Sequence, residues 1–244
     1  MGIEGIRISG LGAKAQAERL ETVARNLANL FTPAWRRERT VFRSRLAGAL
    51  GAGLPAAERL RETGEPGPFE TTGRPLDFAL RSRGYFTVRD LASGDVLYTR
   101  AGDFRIDGEG RLVTADGRAQ VLAEGGAGMA LDPRLPPDVR MSPDGTLFQG
   151  AVELGRPGVA DFQDPGALRP RGSRLLEAPE GVGPREPVER RLEQGVREAS
   201  SVDPVVEMAE LIRAVRAVES NLQMVRFQDA VLGRTVNEYA RLPR

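Results

Sequence analysis

The sequence contains no cysteine and no histidine. Without thiols or imidazoles it cannot build Cys/His zinc sites, disulfides, cysteine nucleophiles or a Ser–His couple. Lysine is nearly absent as well, Lys14 being the single one among 35 basic residues. An excess of either charge is also missing. The 34 acidic residues leave a net charge of +1, which argues against a dedicated polyanion binder. No apolar run approaches the roughly 18 residues of a membrane span. Met1 to Gly12 lacks a cationic region followed by an apolar stretch, so no cleaved secretory signal is expected. The chain does have 40% apolar residues over a length of 244, enough for one large domain or two modest ones.

Helical periodicity sits at the two ends. Leu20, Val23, Ala24 and Leu27 share one face of a helix expected over 11–31, which Phe31-Thr32-Pro33 ends because the residue before proline leaves the α region. Met208, Leu211, Val215, Val218, Leu222 and Val225 step by three and four, and Leu232, Val236 and Tyr239 rejoin that register. A period of about 3.5 predicts a seam facing partner helices. This helix is expected over Asp203–Tyr239, with Ser200, Ser201 or Asp203 as cap and Pro204 in its first turn. Trp35–Leu46 suits an extended arm or a short helix, and residues 48–68 a loop or weak strand.

The middle alternates in the manner of strands. Leu76–Leu80, Tyr85–Val88, Val96–Thr99, Phe104–Ile106, Leu112–Thr114, Val139–Met141 and Thr146–Phe148 are separated by glycine turns, several of them Asp-Gly. Glycine reaches positive φ without steric cost, so these pairs predict hairpins. Residues 164–187, rich in Pro, Gly and Arg, suit a surface excursion or linker. The expected fold is therefore α+β. Paired N- and C-terminal helices would form a coiled-coil-like discontinuous polymerisation domain, residues 1–46 with 196–244, around a β-rich middle domain, residues 47–195.

Chemical motifs are weak. Gly10-Leu11-Gly12-Ala13-Lys14-Ala15 fits a dinucleotide fingerprint, but no apolar strand ending in an acid follows about 20 residues later. Asp107, Glu109, Gly110 and Asp116 fit a calcium loop only if the cation Arg105 takes its first ligand position. Arg36, Arg37, Arg39, Arg43 and Arg45 around Trp35 and Phe42 could contact nucleic acid or lipid headgroups. A solvated face or a protein interface suits the balanced charge better. Glu198, Asp203, Glu207, Glu210 and Glu219 are expected to pair with Arg213, Arg216 and Arg226 along a helix surface rather than to act as acid and base. No catalytic residue, metal site, cofactor or nucleic-acid partner is expected.

Four segments resemble a known family. Asn26-Leu27-Ala28-Asn29 followed by Thr32-Pro33-Ala34-Trp35-Arg36-Arg37 is similar to the N-terminal signature of flagellar rod and hook proteins. Thr72–Leu80 through Gly84-Tyr85-Phe86, Tyr98–Phe104 with Asp107, Gly110, Leu112–Thr114 and Gly117, and Leu192–Gly195 with Val202–Glu219 resemble its later blocks in order. Arg25, Phe31, Ala34 and Val218 depart from the pattern. The resemblance implies a structural, non-enzymatic subunit of the basal-body rod, which crosses the periplasm. It implies export through the flagellar type III apparatus, and polymerisation with copies of itself and other rod and hook proteins to transmit torque. It does not separate a proximal from a distal rod position. The implied assembly residues are Leu20, Val23, Asn26, Leu27 and Asn29 with Met208, Leu211, Val215, Val218, Leu222, Val225, Leu232 and Val236. The alternatives are a soluble coiled-coil dimeric binding module, and a hydrolase using carboxylates in the middle domain, whose convergent acids the spacing of Asp77, Asp90, Asp95 and Asp103 does not suggest.

Overall fold

The computed structural model describes residues 2–46, 53–61, 66–136, 138–172, 174–187 and 189–239. The chain divides into two units, Met1–Leu30 with Arg37–Glu62 and Val202–Arg244, and Phe31–Arg36 with Thr63–Ser201.

The first unit holds helix α1 (Gly2–Ala28), strands β1 (Glu38–Leu46) and β2 (Gly53–Arg61), and helix α2 (Pro204–Tyr239). The arm after Trp35 is thus a strand, paired antiparallel with β2 from Glu38↔Arg61 to Leu46↔Gly53. α2 takes the expected span, and Asp203 is its cap, with Oδ1 accepting the N–H groups of Val205 at 2.8 Å and Val206 at 3.2 Å. α1 starts earlier than expected, and the Gly10–Ala15 segment lies inside it, where no phosphate-binding turn exists. Gly12 lies beside α2, where an added Cβ would make only an ordinary contact. A Cβ there would meet Asn221 Oδ1 at 3.5 Å.

The second unit is built of short antiparallel strands. In chain order these are β3 (Phe69–Thr71), β4 (Phe78–Leu80), β5 (Tyr85–Asp90), β6 (Val96–Thr99), β7 (Phe104–Ile106), β8 (Leu112–Thr114), β9 (Ala119–Val121), β10 (Val139–Met141), β11 (Leu147–Gln149), β12 (Val152–Gly155), β13 (Val159–Ala160), β14 (Arg169–Pro170), β15 (Leu176–Glu177), β16 (Leu192–Gln194) and β17 (Val196–Glu198). The main sheet runs β14-β15-β6-β5-β9-β8-β7, with β13 also on β5. β10-β11-β12 form a second sheet, and β16-β4 and β17-β3 form two pairs. Alternation places Phe86 and Val88 of β5 in the core with Phe78, Leu80, Leu97, Phe104, Leu112 and Leu147. The Phe86 and Phe104 rings meet edge to face at 5.2 Å. Residues 164–187 carry β14 and β15 and pack Leu168 and Leu176 around Tyr98 and Phe162.

Two glycines show what the turns need. At Asp107-Gly108-Glu109-Gly110 the positive φ falls on Gly110, at +81°, while Asp107 Oδ1 accepts the N–H groups of Glu109 and Arg111 at 2.9 Å each. That makes the segment a hairpin turn that uses its carboxylate internally. Gly102 is required by contact, since a Cβ there would lie 1.8 Å from the Phe78 carbonyl oxygen.

The expected fold class needs correction. Among the described residues there are two helices against seventeen strands in several sheets, and the helix-bearing unit includes a long hairpin. The helices do not interlock as a coiled coil, because half of the expected seam faces outward. Met208 is 59%, Val215 38% and Leu222 46% exposed. The side of α2 turned inward carries Glu207, Leu211, Ala214, Val218, Asn221 and Val225, a mixture of small, polar and apolar groups.

Candidate assembly surface

In the first unit, the N-L-A-N segment closes α1 and fixes β1. Asn26 is buried and clamps the backbone of Glu38, donating Nδ2 to its carbonyl at 2.9 Å and accepting its N–H at 2.9 Å. One side chain thereby takes up both backbone hydrogen-bonding groups of Glu38. Asn29 donates Nδ2 to the Arg25 carbonyl at 2.8 Å, satisfying one of the acceptors that a helix end leaves open. Thr40 donates to Thr22 at 2.8 Å on the same side of α1.

Charge then fastens α2 to this frame. Arg37 reaches the fully buried Glu207, and Arg19 reaches Glu210. The Arg19 contact holds the Glu210 carboxyl below the usual carboxylate range. Arg213 adds a second bond to Glu210 at 2.8 Å, the kind of within-helix pair expected from sequence. Glu207 departs from that expectation because the basic run after Trp35 folds back on it.

Glu198, in the second unit, departs for the same reason. Its oxygens meet Arg36 at 2.8 Å and Arg100 at 2.8 Å, and Arg100 also donates to the Gly84 and Leu80 carbonyls. Burial lowers the Arg36 pKa against the opposing attraction of Glu198. The arginine of the Tyr-Thr-Arg block is thus a structural tie between β4, the following turn and β17. Ala34, in the same unit, sits at φ +55°, a left-handed conformation that costs a residue with a Cβ about 1–2 kcal/mol.

The expected assembly residues fall into three groups. Val23 and Asn26 are buried, and Leu20, Leu27, Asn29, Leu211, Val218 and Val225 are half-buried, within the unit itself. Met208, Val215 and Leu222 are exposed. Leu232 and Val236 lie on α2, with side chains outside the described residues. Sequence reasoning missed further exposed apolar residues of α2, among them Val205 at 75%, Ile212 at 55% and Phe227 at 66%. The signal was available, because Val205 and Ile212 share the helical stripe of Met208, Val215 and Leu222. Asp77, Asp90, Asp95 and Asp103 are used in turns and ion pairs, with Thr72, Arg118, Arg171 and Arg174 respectively. Among the described residues, no acidic group could hold a metal ion and no helix is long and apolar enough to cross a membrane.

Two stretches of the chain match known families. Residues 79–147 match the family described as the flagellar hook protein FlgE/F/G D1 domain, and residues 193–238 the flagellar basal body rod FlgEFG protein C-terminal family. The chain is 35% identical to the flagellar basal-body rod protein FlgF of Caulobacter vibrioides, over 84% of this chain and 85% of that one. It is 34% identical to FlgF of Mesorhizobium japonicum, over 87% and 88%. It is 30% identical to the basal-body rod protein FlgG of Caulobacter vibrioides, over 96% and 98%.

Proposed function

The chain belongs to the family of flagellar basal-body rod proteins, and from that premise we propose how its surface does the work of a structural rod subunit. The observation that carries the reading is the outer side of α2, where Val205, Met208 and Ile212 stand in solvent. Among the described residues, α2 thus carries apolar side chains on its outward as well as its inward side. Association would remove the outward ones from water at roughly 25 cal/mol per Å², offset by the cost of ordering two chains. Contacts of this kind that do not close into a ring build a filament.

In this reading the segments 1–46 and 196–244 mediate polymerisation, and copies of the chain join other rod and hook proteins in a tube that crosses the periplasm and carries torque. Its role is mechanical rather than enzymatic, and delivery through the flagellar type III export apparatus completes the proposal. Family membership supports each of these steps.

Sedimentation velocity of the full chain over a wide concentration range tests the reading. Open-ended growth is expected, together with its loss in Ile212→Ser while the monomer stays folded. A discrete dimer at every concentration would instead be the behaviour of a closed binding module and would overturn it.

A further inference from the structure

We propose that Met208 and Met224 are sites of reversible oxidation, and that their sulfoxides keep the unassembled chain out of polymer. This rests on the rod-subunit reading above and adds a control to it. The chain has five methionines and no cysteine, so thioethers are its only sulfur groups. Met129 is 2% exposed in the core of the strand-built unit, and Met141 is half-buried against the same core. Met208 and Met224 stand apart, at 59% and 51% exposed. Met208 shares its side of α2 with Val205, Ile212, Val215 and Leu222. Met224 lies roughly 160° further around the helix, at about 3.6 residues per turn. There it stands one turn before the exposed Phe227 on a second apolar stripe. Each exposed stripe of α2 therefore carries a sulfur.

Methionine is unbranched and polarizable, so it adapts to whatever surface covers it. The same sulfur is a nucleophile toward a hydroperoxide. Its lone pair attacks one peroxide oxygen, the S–O bond forms as the O–O bond breaks, and an electron pair passes from sulfur to the peroxide. With hydrogen peroxide, the departing hydroxide collects the proton of the sulfur-bound oxygen and leaves as water. Access to the sulfur governs how readily this happens, and solvent reaches Met208 and Met224 but not Met129. The sulfoxide is polar, and covering it with apolar side chains that offer it no donor is unfavourable. Both stripes lose their apolar character together. The inner side of α2, tied by Glu207 to Arg37 and by Glu210 to Arg19, contains no methionine. Oxidation therefore blocks association without unfolding the chain. Once copies associate, the covered sulfurs resist the oxidant, so the control acts before assembly.

The full chain, at a concentration where it is monomeric, is treated with hydrogen peroxide, and peptide mapping by mass spectrometry follows the added oxygen at each methionine. Met208 and Met224 are expected to oxidise at least about tenfold faster than Met129. On concentration the treated chain should lose open-ended growth in sedimentation velocity while its circular dichroism is kept. Methionine sulfoxide reductases of both stereospecificities should restore growth as the sulfoxides at Met208 and Met224 disappear. That arm uses the natural chain and needs no substitution. In a chain carrying Met208→Leu and Met224→Leu, peroxide should cost no growth relative to the same variant untreated. Undiminished growth with both residues oxidised, equally fast oxidation of Met129, or a peroxide-induced loss that persists in the double variant would overturn the proposal and leave the rod reading standing. An untreated chain that stays monomeric at every concentration would overturn both.

Discussion

The two units solve the burial problem in opposite ways. The strand-built unit satisfies itself. Most of its large apolar side chains are enclosed, Phe31 at 89% exposure being the main exception, and its turns are closed by aspartates that accept backbone N–H groups or hold arginines, as at Asp90, Asp107 and Asp144. The helix-and-hairpin unit uses fixed polar ties on its inner side, Asn26 to Glu38 and Arg37 to Glu207, and leaves much of the apolar surface of α2 outside. One unit is largely finished within a single chain, and in the proposed reading the other is finished by neighbours. A subunit of an open polymer needs both, a body that keeps its shape and a surface that is stable only when covered.

The sharpest way to separate the units is to empty a core that one of them completes alone. Phe78→Ala should cost the strand-built unit about 3–5 kcal/mol, read as a lowered midpoint in urea that does not change with protein concentration. Asn26→Ala should cost the helix-bearing unit about 1–3 kcal/mol, because the Glu38 N–H and carbonyl lose their buried partner. Its midpoint should recover partly as concentration rises, which the Phe78 variant's should not.

Acid acts more on the strand-built unit. Backbone N–H groups of Ala92 and Ser93 hold Asp90 below the usual carboxylate range, and Asp95, Asp107 and Asp144 are lowered too. In the helix-bearing unit Glu210 is lowered by Arg19. A carboxylate with a depressed folded-state pKa contributes stability that is complete above its unfolded value, about 4, and is lost as pH falls through the folded one. Calorimetry at pH 6, 4 and 3 should therefore show the strand-built transition falling further. Ala34→Gly should give the smallest effect, a net gain of roughly 0.5 kcal/mol. Relief of the left-handed strain, about 1–2 kcal/mol, is offset by about 0.4–1 kcal/mol of added freedom in the unfolded chain. Urea unfolding measures it.

Much of this was legible in the residues. The span and cap of α2, the strands from Phe78 to Thr114 and the glycine turns follow from local periodicity and turn chemistry. The inner face of α2 does not. Three apolar stripes overlap on that helix, and Glu207, Ala214 and Asn221, which turn inward, carry no hydropathic mark. Their position depends on Arg37 and on the packing of α1, which are distant in sequence. The strand after Trp35 was equally open, since its pairing with β2 is a tertiary event. The Arg36–Glu198–Arg100 cluster joins segments that no local window contains. The Asn26 clamp was visible only as a motif, without its partner.

The central claim is that association completes one unit and leaves the other unchanged. Amide hydrogen exchange of the full chain, at a concentration where it is monomeric and again where it is assembled, tests this directly. The amides of residues 205–227 should gain protection on assembly, while those of β5, β6 and β9 stay as they were. Equal protection of α2 in both states, or a gain confined to the strands, would contradict the account.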